Sequence, residues 1–217
     1  MIIIGVTGAT GSGKSTVCNM LEDIYGFKVI NADAIAYSQA TPGSDYLNEI
    51  NKTFGSKVIN KDGSLNRTVL GNIIFNDVNE RIKLNKITKK FVVREIEDLI
   101  TIFKDISKTA DSDANLKKYM SALVIDAPLL YEFKLDKECN YIITVTASDE
   151  LKIQRIIERQ GLDKQDAQAR INSQREYDSI NKNADYFIEN NGTEDELRVK
   201  MRCIIEEIAR KEKLKLH

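Results

Sequence analysis

The chain has 217 residues, 42% of them hydrophobic and 30% charged, which suits one substantial soluble core with inserted subdomains. A formal net charge of −1 provides no global field for nucleic acid or a membrane surface, so any pull on an anionic ligand is local. The single histidine is the terminal His217, and Cys18, Cys139 and Cys203 lack metal-ligand spacing. Histidine catalysis and His-ligated zinc are therefore excluded, and reduced thiols in a cytoplasmic protein are expected.

Ile2-Ile3-Ile4-Gly5-Val6 reads as a buried strand, too short for a signal peptide or a membrane span. Gly8-Ala9-Thr10-Gly11-Ser12-Gly13-Lys14-Ser15-Thr16 follows, a complete G-x-x-x-x-G-K-[ST] loop. Val17–Leu21 then reads as a helix. In that strand–loop–helix setting the loop N–H groups face phosphate oxygens and the helix N-terminus adds partial positive charge. Gly8, Gly11, Ser12, Gly13, Lys14, Ser15 and Thr16 are thus expected to hold the phosphates of a nucleotide. Lys14 is expected at the β- and γ-phosphates, and the Ser15 hydroxyl on Mg²⁺.

A second strand is expected at Phe27–Ile30, ending in Asn31-Ala32-Asp33, and a third at Ala122–Ile125, ending in Asp126. A fourth is expected at Tyr141–Val145 and a fifth at Tyr186–Ile188, ending in Glu189-Asn190-Asn191-Gly192. Strands alternating with helical patterns mean βαβ units and a parallel sheet, whose ligands bind beyond the carboxyl ends of the strands. Asp33, Asp126 and the Asn190–Gly192 loop all fall at such ends. Ser38 to Phe103 is read as a helical subdomain for a second substrate, its longest helix running from about Val78 to Phe103. Lys104–Lys118 is polar and read as a surface loop. Arg155 and Arg159 share a helical face, and Arg170 and Gln174 repeat the spacing after Gly161, which suits a lid closing over phosphates.

Phosphoryl transfer needs a group that orients or deprotonates the acceptor hydroxyl. Asp33, just past a strand, is the candidate; its alternative role is helix N-cap. Asp126 fits either the acid of a Mg²⁺ shell or a cap on the turn before Pro128.

In order along the chain, these residues resemble the dephospho-CoA kinases. The match comprises Gly8–Thr16, Ala32-Asp33-Ala34-Ile35-Ala36, Thr41-Pro42-Gly43, Asp62-Gly63-Ser64-Leu65-Asn66-Arg67, Pro128-Leu129-Leu130-Tyr131-Glu132, Arg155-x-x-x-Arg159, Ala169-Arg170-Ile171, and Asn190-x-Gly192. The resemblance implies an α/β P-loop NTPase-type three-layer sandwich with a five-stranded parallel sheet, a helical acceptor subdomain and a short lid. The expected divisions are residues 1–37, 119–149 and 180–217 for the nucleotide core, 38–118 for the acceptor subdomain and 150–179 for the lid. The implied reaction is phosphorylation of the ribose 3′-hydroxyl of dephospho-CoA by ATP with Mg²⁺. Asp33, Lys14 and Arg155 would be catalytic, Asp33, Arg67 and Lys89 would face the acceptor, and Ser15 and Asp126 would hold the metal. Arg155, Arg159, Asn190 and Gly192 would join the loop in binding ATP. This chain departs from the family pattern at Ala9-Thr10 (usually Gly-Ile), Asn31 (Asp), Tyr37 (often Arg), Lys89-Lys90 (His-Pro) and Lys152 (Gln). Other readings are a kinase for another nucleoside or nucleotide, a non-catalytic nucleotide-binding paralogue, and a GTP switch. The last would need a guanine-reading motif, approached only by Asn181-Lys182-Asn183-Ala184-Asp185.

Overall fold

Five runs rich in apolar residues supply the strands of the computed structural model, which describes residues 1–109, 121–172 and 183–214. The strands are β1 (Ile2–Thr7), β2 (Lys28–Asn31), β3 (Ala122–Asp126), β4 (Tyr141–Thr146) and β5 (Tyr186–Glu189). The helices are α1 (Lys14–Tyr25), α2 (Ala32–Gln39), α3 (Asp45–Phe54), α4 (Arg67–Asn76), α5 (Val78–Thr109), α6 (Asp149–Gln160), α7 (Lys164–Asn172) and α8 (Glu194–Glu212). The strands form one parallel sheet in the order β2-β3-β1-β4-β5. All of β1 and β3 is buried, as continuous apolar strands in a covered parallel sheet should be.

The chain divides into two units, Met1–Ile30 with Ile100–His217, and Asn31–Leu99. In the first, Val17, Met20, Leu21 and Tyr25 of α1 and Leu197, Met201, Ile205 and Ile208 of α8 pack on Ile2, Ile4 and Val6 of β1. These positions recur at helical spacing in α1 and α8 and at every second residue in β1, so one apolar face of each element meets the others. Gly26, at φ 68°, ends α1 in the left-handed conformation and returns its N–H to Glu22 and Leu21. Thr193 and Glu196 cap α8 reciprocally.

Register fixes the functional rim. Val6 pairs with Asp126, Thr7 with Thr144 and Thr146 with Glu189. The loop after β1, the end of β3 and the segment after β5 therefore leave the sheet on one side. Strand order reverses about β1, which puts the ligand crevice at its carboxyl end.

The second unit is helical. Tyr46, Ile50, Phe54, Val58, Leu70 and Ile87 form its core. Asn31, Ser44 and Asn66 each accept an N–H in the first turn of the helix they precede. Tyr46 and Thr88 share a hydrogen bond of 2.9 Å, and Lys90 pairs with Glu49 at 2.9 Å.

One expectation needs correction. The long helix does not end near Phe103; it continues through Lys104 to Thr109. That stretch is polar but has neither Gly nor Pro, and polarity alone does not stop a helix. Lys108 and Asp105, three apart, even pair across its exposed face. The expected loop beyond, residues 110–118, lies outside the described residues.

Candidate active site

Every loop residue from Gly8 to Thr16 belongs to the first unit, and packing determines its path. A side chain on Gly8 would collide with the Val145 carbonyl of β4, and one on Gly13 (φ 95°) with the Asn190 carboxamide. Only glycine permits both the left-handed turn and these approaches. Gly11 lies against the Lys152 backbone in the first turn of α6. Lys14 and Ser15 are the first two residues of α1, where N–H groups lack partners within the helix and favour an anion.

Lys14 Nζ forms an ion pair with Asp126 Oδ1 at the end of β3, with 11% and 1% of the two side chains exposed. The strand-end acid thus sits beside the loop lysine. Cys18, one turn beyond Lys14, places its buried thiol against the same carboxylate; burial first, then the Asp126 charge, pushes that thiol up. Sequence reasoning passed over Cys18, although its i+4 spacing from Lys14 signals a shared face.

Arg155 projects from α6. Its Nη1 donates to the carbonyls of Gly11 (3.2 Å) and Ser12 (3.5 Å), and its Nη2 donates to the Asn190 carbonyl (3.0 Å). Arg159, one turn on, is exposed and lies close enough to Arg170 of α7 to disfavour its charge. Burial first, then the Arg159 guanidinium, hold Arg170 below the ordinary guanidinium range. Two cations held together in this way favour an anion between them. Gly161, at φ 64°, turns the chain between α6 and α7, which share a small core of Ile156, Ala167 and Ile171. Gln174 lies outside the described residues. Gly192 directly precedes the α8 cap, where a side chain would meet the Glu196 carboxylate that caps Thr193.

Asp33, Arg67 and Lys89 belong to the second unit. Asp33 is exposed in the first turn of α2, and the cap of that helix is Asn31, whose Oδ1 accepts the Ala34 N–H at 2.7 Å. The alternative role considered for Asp33 is therefore filled by its neighbour. Arg67, at the start of α4, stacks on the Tyr37 ring with its Cζ 3.9 Å from the centroid, and its Nη2 donates to the Tyr37 carbonyl. Lys89 is half-buried in α5, whereas Lys90 is committed to Glu49. The guanine-motif candidate is partly outside the described residues; its acid, Asp185, accepts the Ile142 N–H at 2.8 Å and anchors the start of β4.

A family model described as dephospho-CoA kinase matches residues 2–196. The chain belongs to the dephospho-CoA kinase family. A dephospho-CoA kinase from Syntrophotalea carbinolica is 35% identical over 91% of this chain and 88% of that protein. Among solved structures, dephospho-CoA kinase from Campylobacter jejuni has a TM-score of 0.63 at 26% identity, over 97% of this chain and 98% of that one. A Thermus thermophilus protein has a TM-score of 0.72 at 25% identity, over 95% and 97%. Like its family, this chain is an ATP-dependent kinase of coenzyme A biosynthesis, transferring phosphate to dephospho-CoA.

Proposed function

We propose that the protein phosphorylates the ribose 3′-hydroxyl of dephospho-CoA, with the roles divided as follows. The Gly8–Thr16 loop and the first turn of α1 hold the ATP phosphates, and Lys14 neutralises charge on the β- and γ-phosphates. Ser15 and Asp126 are the residues that would hold Mg²⁺. A hydroxyl and a buried carboxylate at a strand end are the hard oxygen donors this ion takes alongside substrate phosphates. When bound, the ion offsets phosphate charge as the γ-phosphoryl leaves ADP. Arg155 and Arg159 stabilise the transferring group and exclude water. Asn190 and Gly192 belong to the ATP side. Asp33 orients the acceptor hydroxyl and takes its proton, while Arg67 and Lys89 meet the acceptor's anionic groups. Residues 38–118 serve as the acceptor subdomain and 150–179 as the lid.

The observation that carries the reading is the buried Lys14–Asp126 pair at the root of the phosphate loop. It joins the loop lysine to the acid expected in a metal shell. Three free cysteines fit a reducing cytoplasm, where this reading places the protein.

The test is turnover of dephospho-CoA with ATP and Mg²⁺, with the product phosphate located by phosphorus and proton NMR. A new phosphomonoester on the 3′-oxygen is expected. A phosphate at another position, or preference for a different nucleoside acceptor, overturns the reading.

A further inference from the structure

We propose that Asn190 is a positioning residue for the phosphate loop, acting on the phosphate chain and not on the base of ATP. Its carboxamide Nδ2 donates to the Ser12 carbonyl at 2.9 Å, and the residue is only 7% exposed. The Ser12 carbonyl and the Gly13 N–H belong to one planar peptide unit and point in opposite directions. Holding that carbonyl therefore fixes the direction of the Gly13 N–H, one of the donors a phosphate loop offers its ligand. It also keeps the negative end of the peptide dipole turned towards Asn190.

Asn190 is itself immobilised through its main chain. Its N–H donates to the Thr146 carbonyl at the end of β4 at 2.8 Å, and its own carbonyl accepts from Arg155 Nη2 at 3.0 Å. Arg155 closes the circuit by donating to the Gly11 and Ser12 carbonyls. The loop, the end of β4, α6 and the end of β5 are thus tied together through one residue. Gly13 is part of the fit, because any side chain there would occupy the place of the Asn190 carboxamide. A phosphate site made of backbone donors works by being preorganised, so a residue that sets the direction of one donor contributes to affinity without touching ligand.

The inference rests on the donor half of the proposed function and is independent of the acceptor. The experiment compares full-length wild type with Asn190→Ala and with Asn190→Leu, which keeps the branched shape at a somewhat larger volume and loses the donor. Calorimetry measures the binding of ATP, inorganic tripolyphosphate and adenosine, and a thermal melt confirms that each variant is folded. Both variants are expected to bind ATP and tripolyphosphate about tenfold more weakly, on the scale of losing one buried hydrogen bond, since only the longer contact from Arg155 then holds the Ser12 carbonyl, with adenosine affinity unchanged. If Asn190→Ala does not fold, Asn190→Leu carries the same comparison. Loss of adenosine affinity with tripolyphosphate unchanged would assign Asn190 to the base and overturn the proposal. Equal loss for all three ligands would mean general loosening, and no loss for any would mean no brace; either outcome also overturns it. Failure of wild type to turn over dephospho-CoA, with these binding ratios as expected, would instead overturn the acceptor reading.

Discussion

The two units hold their candidate site residues in different ways. In the first, residues far apart in sequence fix one another: Lys14 with Asp126, Ser12 with Asn190, Gly11 with Arg155. In the second, Asp33 and Arg67 sit in exposed first turns of helices and are arranged by near neighbours or a single stacking partner: Asn31 and Asn66 as caps, Tyr37 beneath the guanidinium. A site built from long-range contacts is rigid and couples activity to stability. A site built from local contacts lets a residue be exchanged with little cost to the fold. The departures from the family pattern follow this division only in part: Asn31, Tyr37 and Lys89-Lys90 are in the second unit, and Ala9-Thr10 and Lys152 are in the first.

The sharpest way to break the comparison is Lys14→Met. It removes a phosphate donor and leaves the nearly fully buried Asp126 without its cation. A fall in kcat of about 10³-fold is expected, on the scale of losing one preorganised donor. Stability should also fall, by about 3 kcal/mol, as when one member of a buried ion pair is deleted. Adding Asp126→Asn should return much of the stability and none of the activity. Denaturant unfolding and steady-state kinetics on the same samples separate the two effects. If Lys14→Met unfolds at the wild-type midpoint, the rigid-site description of the first unit is wrong.

Asp33→Asn probes the other unit and should behave oppositely. It leaves the cap of α2 in place, because Asn31 provides it. We expect kcat to drop about 10²-fold, the ordinary size of a general-base loss, with ATP affinity and melting temperature close to wild type. Near-normal turnover would remove Asp33 from the mechanism.

This contrast also explains what sequence could reveal. The five strands were legible because buried parallel strands are short apolar, β-branched runs, and the loop was legible because its glycines and lysine have fixed spacing. Asp33 was legible as a strand-end residue, whereas Arg67 was reached only through the family resemblance. The brace from Asn190 to Ser12 was not, since it spans 178 positions and no local pattern encodes it. Nor was the partnership of Arg155 with loop carbonyls, because an arginine on a helix face reads the same whether it meets phosphate or backbone. The end of α5 was misplaced for a different reason: the stretch after Phe103 is mostly polar, with Ile106 its one apolar residue, so periodicity fades there although the backbone continues.

Tyr37→Ala tests whether the second unit organises its cations by stacking. An exposed cation–π contact is worth about 0.5–1 kcal/mol, so KM for dephospho-CoA should rise about two- to fivefold. KM for ATP should not change, and Tyr37→Phe, which keeps the ring, should restore the wild-type value. A rise in both KM values would show that Tyr37 matters to the fold generally and not to Arg67.

The smallest effects concern pH, where a carboxylate from each unit should respond with opposite sign. Burial raises Glu132 above the ordinary carboxylate value of 4.5. The folded state then holds a proton that the unfolded state has released, so stability falls as pH rises from that ordinary value through the raised one. Glu132→Gln should therefore stabilise the protein at pH 7, by about 0.5 kcal/mol, with the gain disappearing towards pH 4. Asp62 is fully exposed and is held below 3.8 by hydrogen bonds from the Ser64 hydroxyl and N–H. Its contribution is present above the unfolded value and lost as pH falls through the folded one, so Asp62→Asn should cost stability at pH 7 and nothing in strong acid. Urea unfolding of both variants across pH 3–7 measures the two slopes. Slopes of the same sign would mean that long-range burial and local hydrogen bonding do not divide between the units as the contacts of the site residues indicate.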